Sequence, residues 1–226
     1  EEVVRTTVDR FGTISILVGV FLAVGQWDFK RLLAYHSISQ IGYILLGLGI
    51  ATPLGILGAI FHLYNHALFK GLLFLNAGAV EYAIGTRNLR KMGKLSELLP
   101  TTSHTSMVAS LSISGIPPFN GFFSKLIIII AVIQAGLPWF AFFAILGSLL
   151  TLASFTKVQR YGFYGDTLID KIQNKIGWKM NIAMIILAVL CVVSSLLIIP
   201  EIRQVTLDPV VNVITNHADA IFVAGR

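Results

Sequence analysis

Long apolar runs constrain this chain more than anything else in it. Windows of low charge fall at 8 to 27, 32 to 50, 54 to 80, 104 to 135, 138 to 156 and 180 to 199. Each is about 20 residues or longer, enough to cross roughly 30 Å of hydrocarbon at about 1.5 Å per residue. The expected fold is therefore an all-α integral membrane protein with six transmembrane helices. A β-barrel would instead show alternating segments of about ten residues, and in hydrocarbon a continuous run satisfies its backbone only as a helix. Only 12% of the 226 residues are charged and 55% are hydrophobic, against about 25% charged in an ordinary soluble domain. A soluble enzyme and a disordered tail are excluded. The one cysteine, Cys191, lies inside the last run, which excludes an intrachain disulfide and a paired-cysteine redox or zinc site.

Six crossings place both ends on one side and divide the connecting segments into two groups. One group carries Lys30, Arg31, Arg87, Arg90, Lys91, Lys94, Lys157, Arg160, Lys171, Lys175 and Lys179, whereas the other has only Arg5, Arg10, Arg203 and Arg226. The excess of positive charge on cytoplasmic loops puts the first group in the cytoplasm and both termini outside, in a multi-pass protein of the cell (inner) membrane. The net charge of +6 is thus topology, and no nucleic acid partner is called for. Because residue 1 is Glu rather than Met, an upstream part is expected. Leu168, Ile169, Ile172, Ile176 and Trp178 alternate with Asp170, Lys171 and Lys175 at helical spacing, which predicts a surface-lying amphipathic stretch. Asp208 and Pro209 suit the cap and first turn of a last helix with Leu207, Val210, Val211, Ile214, Ala218, Ile221 and Phe222 on one stripe. That stripe would lie against a partner or lipid.

Two cations remain inside the apolar runs, Lys70 and Lys125. A lysine at the centre of a membrane helix costs about 2.5 to 3.5 kcal/mol even on a lenient insertion scale, and such residues face a bundle interior or a wet cavity. Lys70 stands at i+8 from His62 and i+4 from His66, so the three share one helix face. Lys70 is roughly 15 Å from the helix end it would have to reach by snorkelling. A proton relay is one reading of this ladder and pairing with a neighbouring carboxylate is the other. The histidine pair has zinc spacing but no third ligand in sequence, so no metal is assigned.

In the fourth run, Gly115, Pro117, Pro118, Asn120 and Gly121 precede Lys125. Two adjacent prolines remove two backbone donors, so the helix should break at Pro117 and Pro118 and free carbonyls in mid-membrane. Transporters place binding or gating sites at such breaks, whereas a single proline kink often only shapes packing. Asp28 and Lys30 begin the second run at the cytoplasmic face, either as an ion-paired anchor or as a proton-entry group, and Glu81 ends the third run within reach of Arg87 or Lys91. His36 reads more readily as a hydrogen-bonded packing residue than as a relay member. No phosphate loop, dinucleotide fingerprint or nucleophile elbow occurs, and no cofactor is expected.

The runs from Asp28 to Tyr43 (DFKRLLAYHSISQIGY), from Phe61 to Val80 (FHLYNHALFKGLLFLNAGAV) and from Ser112 to Lys125 (SISGIPPFNGFFSK) closely resemble the antiporter-like proton-translocating subunits of the complex I superfamily. Members of that family occur in Mrp-type sodium/proton antiporters, membrane-bound hydrogenases and NADH-quinone oxidoreductase. The resemblance implies two inverted five-helix repeats, each with a discontinuous helix and a key buried Lys or Glu, joined by a polar axis across the membrane. It implies that Lys125 is the key residue of the second broken helix, that Lys70, His62 and His66 belong to the neighbouring helix of that axis, and that Asp28 and Lys30 are the charged pair before it. His36 departs from the pattern, where Ser is usual. The resemblance covers only the second repeat, as residues 1–160. Residues 161–179 are then a cytoplasmic interfacial segment, 180–199 an extra span and 200–226 an extracytoplasmic amphipathic tail. Such a chain would translocate protons, or exchange sodium for protons, within a complex whose other membrane subunits include one supplying the first repeat. A non-pumping structural subunit of the same kind of complex is the alternative, and a quinone-binding element against His104 is a third.

Overall fold

The structure, a computed structural model, describes residues 2–166, 169 and 171–224, and the side chains of 6–166, 169 and 171–216 among them. The elements in order are α1 (Glu2–Val24), α2 (Phe29–Gly49), α3 (Pro53–Ile84), a single turn α4 (Leu95–Leu98), α5 (Pro100–Ser114), α6 (Asn120–Gln134), α7 (Pro138–Val158), α8 (Trp178–Val193) and α9 (Pro200–Ala224). Among the described residues no strand forms, and the one isolated bridge pairs Asp28 with Asn88. Local chemistry sets the boundaries. Asp28 caps α2 by accepting from the Arg31 amide, Thr52 caps α3 by accepting from that of Gly55, and Gly85 ends α3 in the left-handed region. Pro53, Pro100 and Pro138 occupy first-turn positions, where the missing N–H costs nothing.

Five helices are long and apolar enough to cross a membrane: Thr6–Val24, Phe29–Gly49, Pro53–Ile84, Pro138–Phe163 and Trp178–Ile198. The protein is a multi-pass membrane protein. The sequence window from 104 to 135 does not become one helix. It divides into α5 and α6 on either side of residues 115–119, and each half has 15 residues. Helix α3 is the hub and packs on α2, α5, α6, α8 and α9, while α1 pairs with α2 and also meets α7. Phe29, Leu32, Phe69, Leu72, Phe155 and Met184 fill the core at one end of the bundle, and Ile16, Tyr43, Leu46, Ile128 and Ala144 fill it at the other. Phe11, Ile14, Val18 and Phe21 leave an apolar face of α1 open to lipid or another chain.

Two expected segments differ. Residues 171–177 are irregular instead of an amphipathic helix, because the amides of Gln173 and Asn174 both donate to the Ala83 carbonyl at the end of α3. Backbone used to close α3 cannot close its own turns. Ile169, Ile172 and Ile176 still pack on the core, and Leu168 and Asp170 lie outside the described residues. The last helix begins at Pro200, so Pro209 is interior and Asp208 is not its cap. Asp208 pairs with Arg203 at 3.1 Å instead, and Leu207 and Val211 anchor the helix on Ile56, Leu57 and Phe61. The side chains of Ala218, Ile221 and Phe222 lie outside the described residues.

Candidate functional site

The break between α5 and α6 builds the centre of the site. In a continuous helix the amide of residue 117 would bond the carbonyl of Ile113, and that of residue 118 the carbonyl of Ser114. Both residues are prolines and have no N–H to give, so both carbonyls are released. Each finds a side chain. Lys125 Nζ donates to the Ile113 carbonyl at 2.7 Å, and Ser148 Oγ on α7 donates to the Ser114 carbonyl at 2.9 Å. Lys125 Nζ also reaches Ser148 Oγ at 3.3 Å and lies 4.6 Å from the centre of the Tyr43 ring. Gly115, at φ 74°, supplies the left-handed residue that ends α5. Gly121 allows the halves to touch, since a Cβ there would collide with the Ser112 carbonyl.

Asn120 ties the start of α6 to two neighbours. Its carbonyl accepts from Asn65 Nδ2 at 3.1 Å and its own Nδ2 donates to Ser194 Oγ at 2.9 Å. One turn along α6, Ser124 Oγ sits 2.9 Å from His62 Nδ1. His62 is thereby brought to the Lys125 centre, and its buried Nε2 has no partner among the described residues. Buried polar atoms without a protein partner call for water or a mobile proton. His66 is half-buried, with its ring edge-on to Phe69 at 5.6 Å.

Lys70 is 6% exposed and Lys125 3%, and among the described residues neither pairs with a carboxylate. Lys70 Nζ donates to the Leu33 carbonyl of α2, which also accepts from Ser37 Oγ. No direct hydrogen bond joins His62, His66 and Lys70 among the described residues, so the ladder is a row of groups about 6 Å apart. His36, three residues beyond Leu33, holds Ser154 Oγ at 2.9 Å and packs on Phe155 at 4.8 Å between ring centres. Its Nδ1 is buried without a partner among the described residues.

Asp28, Lys30 and Glu81 sit elsewhere. They form a partly exposed network with Arg87: Lys30 to Glu81 at 2.6 Å, Arg87 to Asp28 at 3.2 Å and Arg87 to Glu81 at 3.6 Å. Lys70 and Glu81 are eleven residues apart on α3, about 16 Å along its axis. Among the described residues no group of His, Cys, Asp and Glu converges as a metal site. His104 lines an apolar groove between α5 and α8 with Val108, Ile185 and Val189.

Reasoning from charged residues overlooked the neutral partners Tyr43, Ser124, Ser148, Ser154 and Gln159. It also overlooked Asp9, a buried acid whose Oδ1 lies against Gly49 without a hydrogen-bond partner among the described residues. The hydroxyl-rich run from Thr101 to Ser114 was the available signal for Ser106 and Ser110, the partners of Gln159.

A multi-pass helical bundle that buries two lysines on backbone carbonyls and two histidines on serine hydroxyls has the kind of interior that membrane proteins reserve for functional polar groups. The family model described as "NADH:quinone oxidoreductase/Mrp antiporter, TM" matches residues 2–151, and the chain belongs to that family. It is 43% identical over 153 residues to one of the Na(+)/H(+) antiporter subunits of Alkalihalophilus pseudofirmus, covering 68% of this chain and 31% of the relative. It is 38% identical over 210 residues to hydrogenase-4 component B of Escherichia coli, covering 82% and 31%. Among solved structures, a chain of the membrane-bound sulfane sulfur reductase, an archaeal respiratory membrane complex, superposes with a TM-score of 0.79 at 39% identity over 85% of this chain and 32% of that one. This chain therefore spans about a third of the length of these relatives.

Proposed function

We propose that the chain contributes one half-channel to a proton-translocating, or sodium/proton-exchanging, membrane complex. Helices α5 and α6 together make one broken crossing, which brings the crossings of the chain to six. Lys125 exchanges protons at the break, and Lys70 with His62 and His66 passes charge along the membrane plane. Asp28 and Lys30, with Glu81, mark where that line meets the surface. The observation that carries the reading is the Lys125 amine: buried, without a carboxylate, and held by a carbonyl that Pro117 releases. A structural role alone would favour a hydrophobic side chain there, since a buried charge is costly.

Residues 1–160 form the second repeat, 161–179 a cytoplasmic interfacial segment, 180–199 a further crossing and 200–226 an extracytoplasmic amphipathic tail. A neighbouring segment in the complex supplies the first repeat. The cation-rich connections face the cytoplasm of the cell (inner) membrane, with both ends of this chain on the other side. A redox module or coupled sodium flux elsewhere in the complex drives the protons. The test is Lys125→Ala in the whole complex, with proton uptake measured in membrane vesicles. Loss of uptake with normal assembly is expected. Unchanged uptake with normal assembly would leave the chain as a structural subunit.

A further inference from the structure

Helix α5 carries a row of hydroxyls that the half-channel just proposed does not use. Ser103, Ser106, Ser110 and Ser114 recur at three- and four-residue spacing and so share one face of the helix. All four are buried. That face meets α7 and the π turn, Gln159–Phe163, that ends it. At the outer end Ser103 Oγ donates to Tyr164 Oη across 3.4 Å, and Tyr164 is exposed. This is the end of the bundle that holds Asp28, because Tyr161 meets Trp27 edge to face with ring centres 5.1 Å apart. One turn deeper Gln159 Nε2 forks to Ser106 Oγ at 3.1 Å and Ser110 Oγ at 2.9 Å. The π turn begins at Gln159, and such turns concentrate at functional sites. At the inner end Ser148 Oγ bridges the Ser114 carbonyl and Lys125 Nζ. From Ser103 to Ser114 is about 16 Å along the axis, roughly half the hydrocarbon thickness.

Packing alone gives a different pattern. A buried Ser or Thr with no other role turns back onto a carbonyl of its own helix, as Thr151 does toward Gly147 and Thr13 toward Asp9. Ser106 and Ser110 instead accept from Gln159. Gln159 Oε1 and Ser114 Oγ are buried in the same row without a partner among the described residues. Both are groups that a water molecule would bond.

We propose that this seam between α5 and α7 is the proton path joining Lys125 to the Asp28 end of the bundle, with Ser106 and Ser110 as its relay groups and Gln159 as the residue that positions them. It rests on the reading that Lys125 exchanges protons. A hydroxyl both donates and accepts, so it takes up one proton as it releases another and ends as it began. The proton that leaves Lys125 Nζ passes to Ser148 or to water, moves outward through the hydroxyls and reaches the surface at Tyr164, leaving a neutral amine for the next. Two steps have no protein group among the described residues, from Ser103 to Ser106 and from Ser110 to Ser114, and each is about one helical turn of roughly 5.4 Å, the reach of one bridging water. Gln159 holds the two hydroxyls in line and offers Oε1 to water.

The test uses the assembled complex in membrane vesicles, with a pH-sensitive dye reporting uptake in H2O and in D2O. The paired substitution Ser106→Ala with Ser110→Ala should slow uptake at least tenfold and raise the H2O/D2O rate ratio. The paired substitution of both by Thr should return uptake to within twofold of the native protein, and Gln159→Leu should behave as the alanine pair. If Gln159→Leu fails to assemble, the alanine pair decides, since it removes only two oxygens. Should Lys125→Ala stop uptake while the alanine pair runs within twofold of native, the seam is overturned and the role of Lys125 stands. Should Lys125→Ala itself leave uptake unchanged, the reading beneath falls and the seam falls with it.

Discussion

Replacing Lys125 by Met separates stability from transport. In the native protein Nζ gives a charge-assisted bond to the Ile113 carbonyl at 2.7 Å, a kind of contact that contributes about 1.5 to 3 kcal/mol. The Tyr43 face at 4.6 Å adds about 0.5 to 2 kcal/mol. Both are lost on substitution. In the other direction, removing an ammonium from the middle of a membrane helix recovers about 2.5 to 3.5 kcal/mol on the insertion scale. Met keeps most of the volume of the stem and fills irregular space well. The terms cancel to within about 2 kcal/mol, so Lys125→Met should assemble in normal amount and unfold near the native midpoint. Proton uptake should fall at least a hundredfold. Blue-native gels, thermal unfolding of the detergent-extracted complex and vesicle uptake read the three quantities together. A Lys125→Met complex that fails to assemble, or loses clearly more than about 4 kcal/mol, would make Lys125 a structural staple and refute the argument.

Ser124→Ala removes the partner of His62 Nδ1, 2.9 Å away. It should cost about 1 to 3 kcal/mol and slow uptake, as seen by thermal unfolding and dye assay. Gly121→Ala would drive a Cβ into the Ser112 carbonyl, with a cost of about 1 to 3 kcal/mol from overpacking. The yield of intact complex should drop, while Gly177→Ala, with nothing within 4 Å, should leave it unchanged. Lys30→Met breaks the partly exposed pair with Glu81, a change of about 0.2 to 1 kcal/mol in stability that added salt should erase. Uptake should slow severalfold if that network marks the mouth of the route, and a native rate would make it an anchor only.

What sequence could reveal depended on how local the cause was. The apolar windows became helices because hydrophobicity over twenty residues leaves no other solution in hydrocarbon. The interruption at Gly115, Pro117 and Pro118 was legible because a proline acts on a carbonyl four residues back in the same chain. The burial of Lys70 and Lys125 followed from their positions in those windows. Their ligands did not follow, because the Leu33 and Ile113 carbonyls carry no residue signature. The Ser106, Ser110 and Gln159 fork joins residues about fifty apart, and no spacing rule predicts which helix face meets which. Residues 171–177 misled for a similar reason. Their apolar spacing was helical, but their amides were needed at the end of α3. Pro209 misled in the other direction, since a proline that suits a first turn was carried inside a helix held by Leu207 and Val211.

The two prolines do more than interrupt a helix. Breaking it with glycine or serine would have left every amide N–H in place, and each freed carbonyl would have had a backbone donor competing for it. Proline deletes the donor and keeps the acceptor. The break therefore yields two carbonyls with unmet demand in a region without bulk water, and they face Lys125 on α6 and Ser148 on α7. A carbonyl differs from a carboxylate in one respect that matters here: it carries no net charge. An ammonium held by a carboxylate leaves an uncompensated buried anion when its proton departs, a cost of several kcal/mol. An ammonium held by a carbonyl dipole leaves a neutral amine beside a neutral acceptor, with Ser148 still able to donate to the Ser114 carbonyl. Both protonation states of Lys125 are then compatible with one backbone geometry. This compatibility is what a group that must be emptied and refilled requires, and it comes from Pro117 and Pro118 rather than from any charged residue.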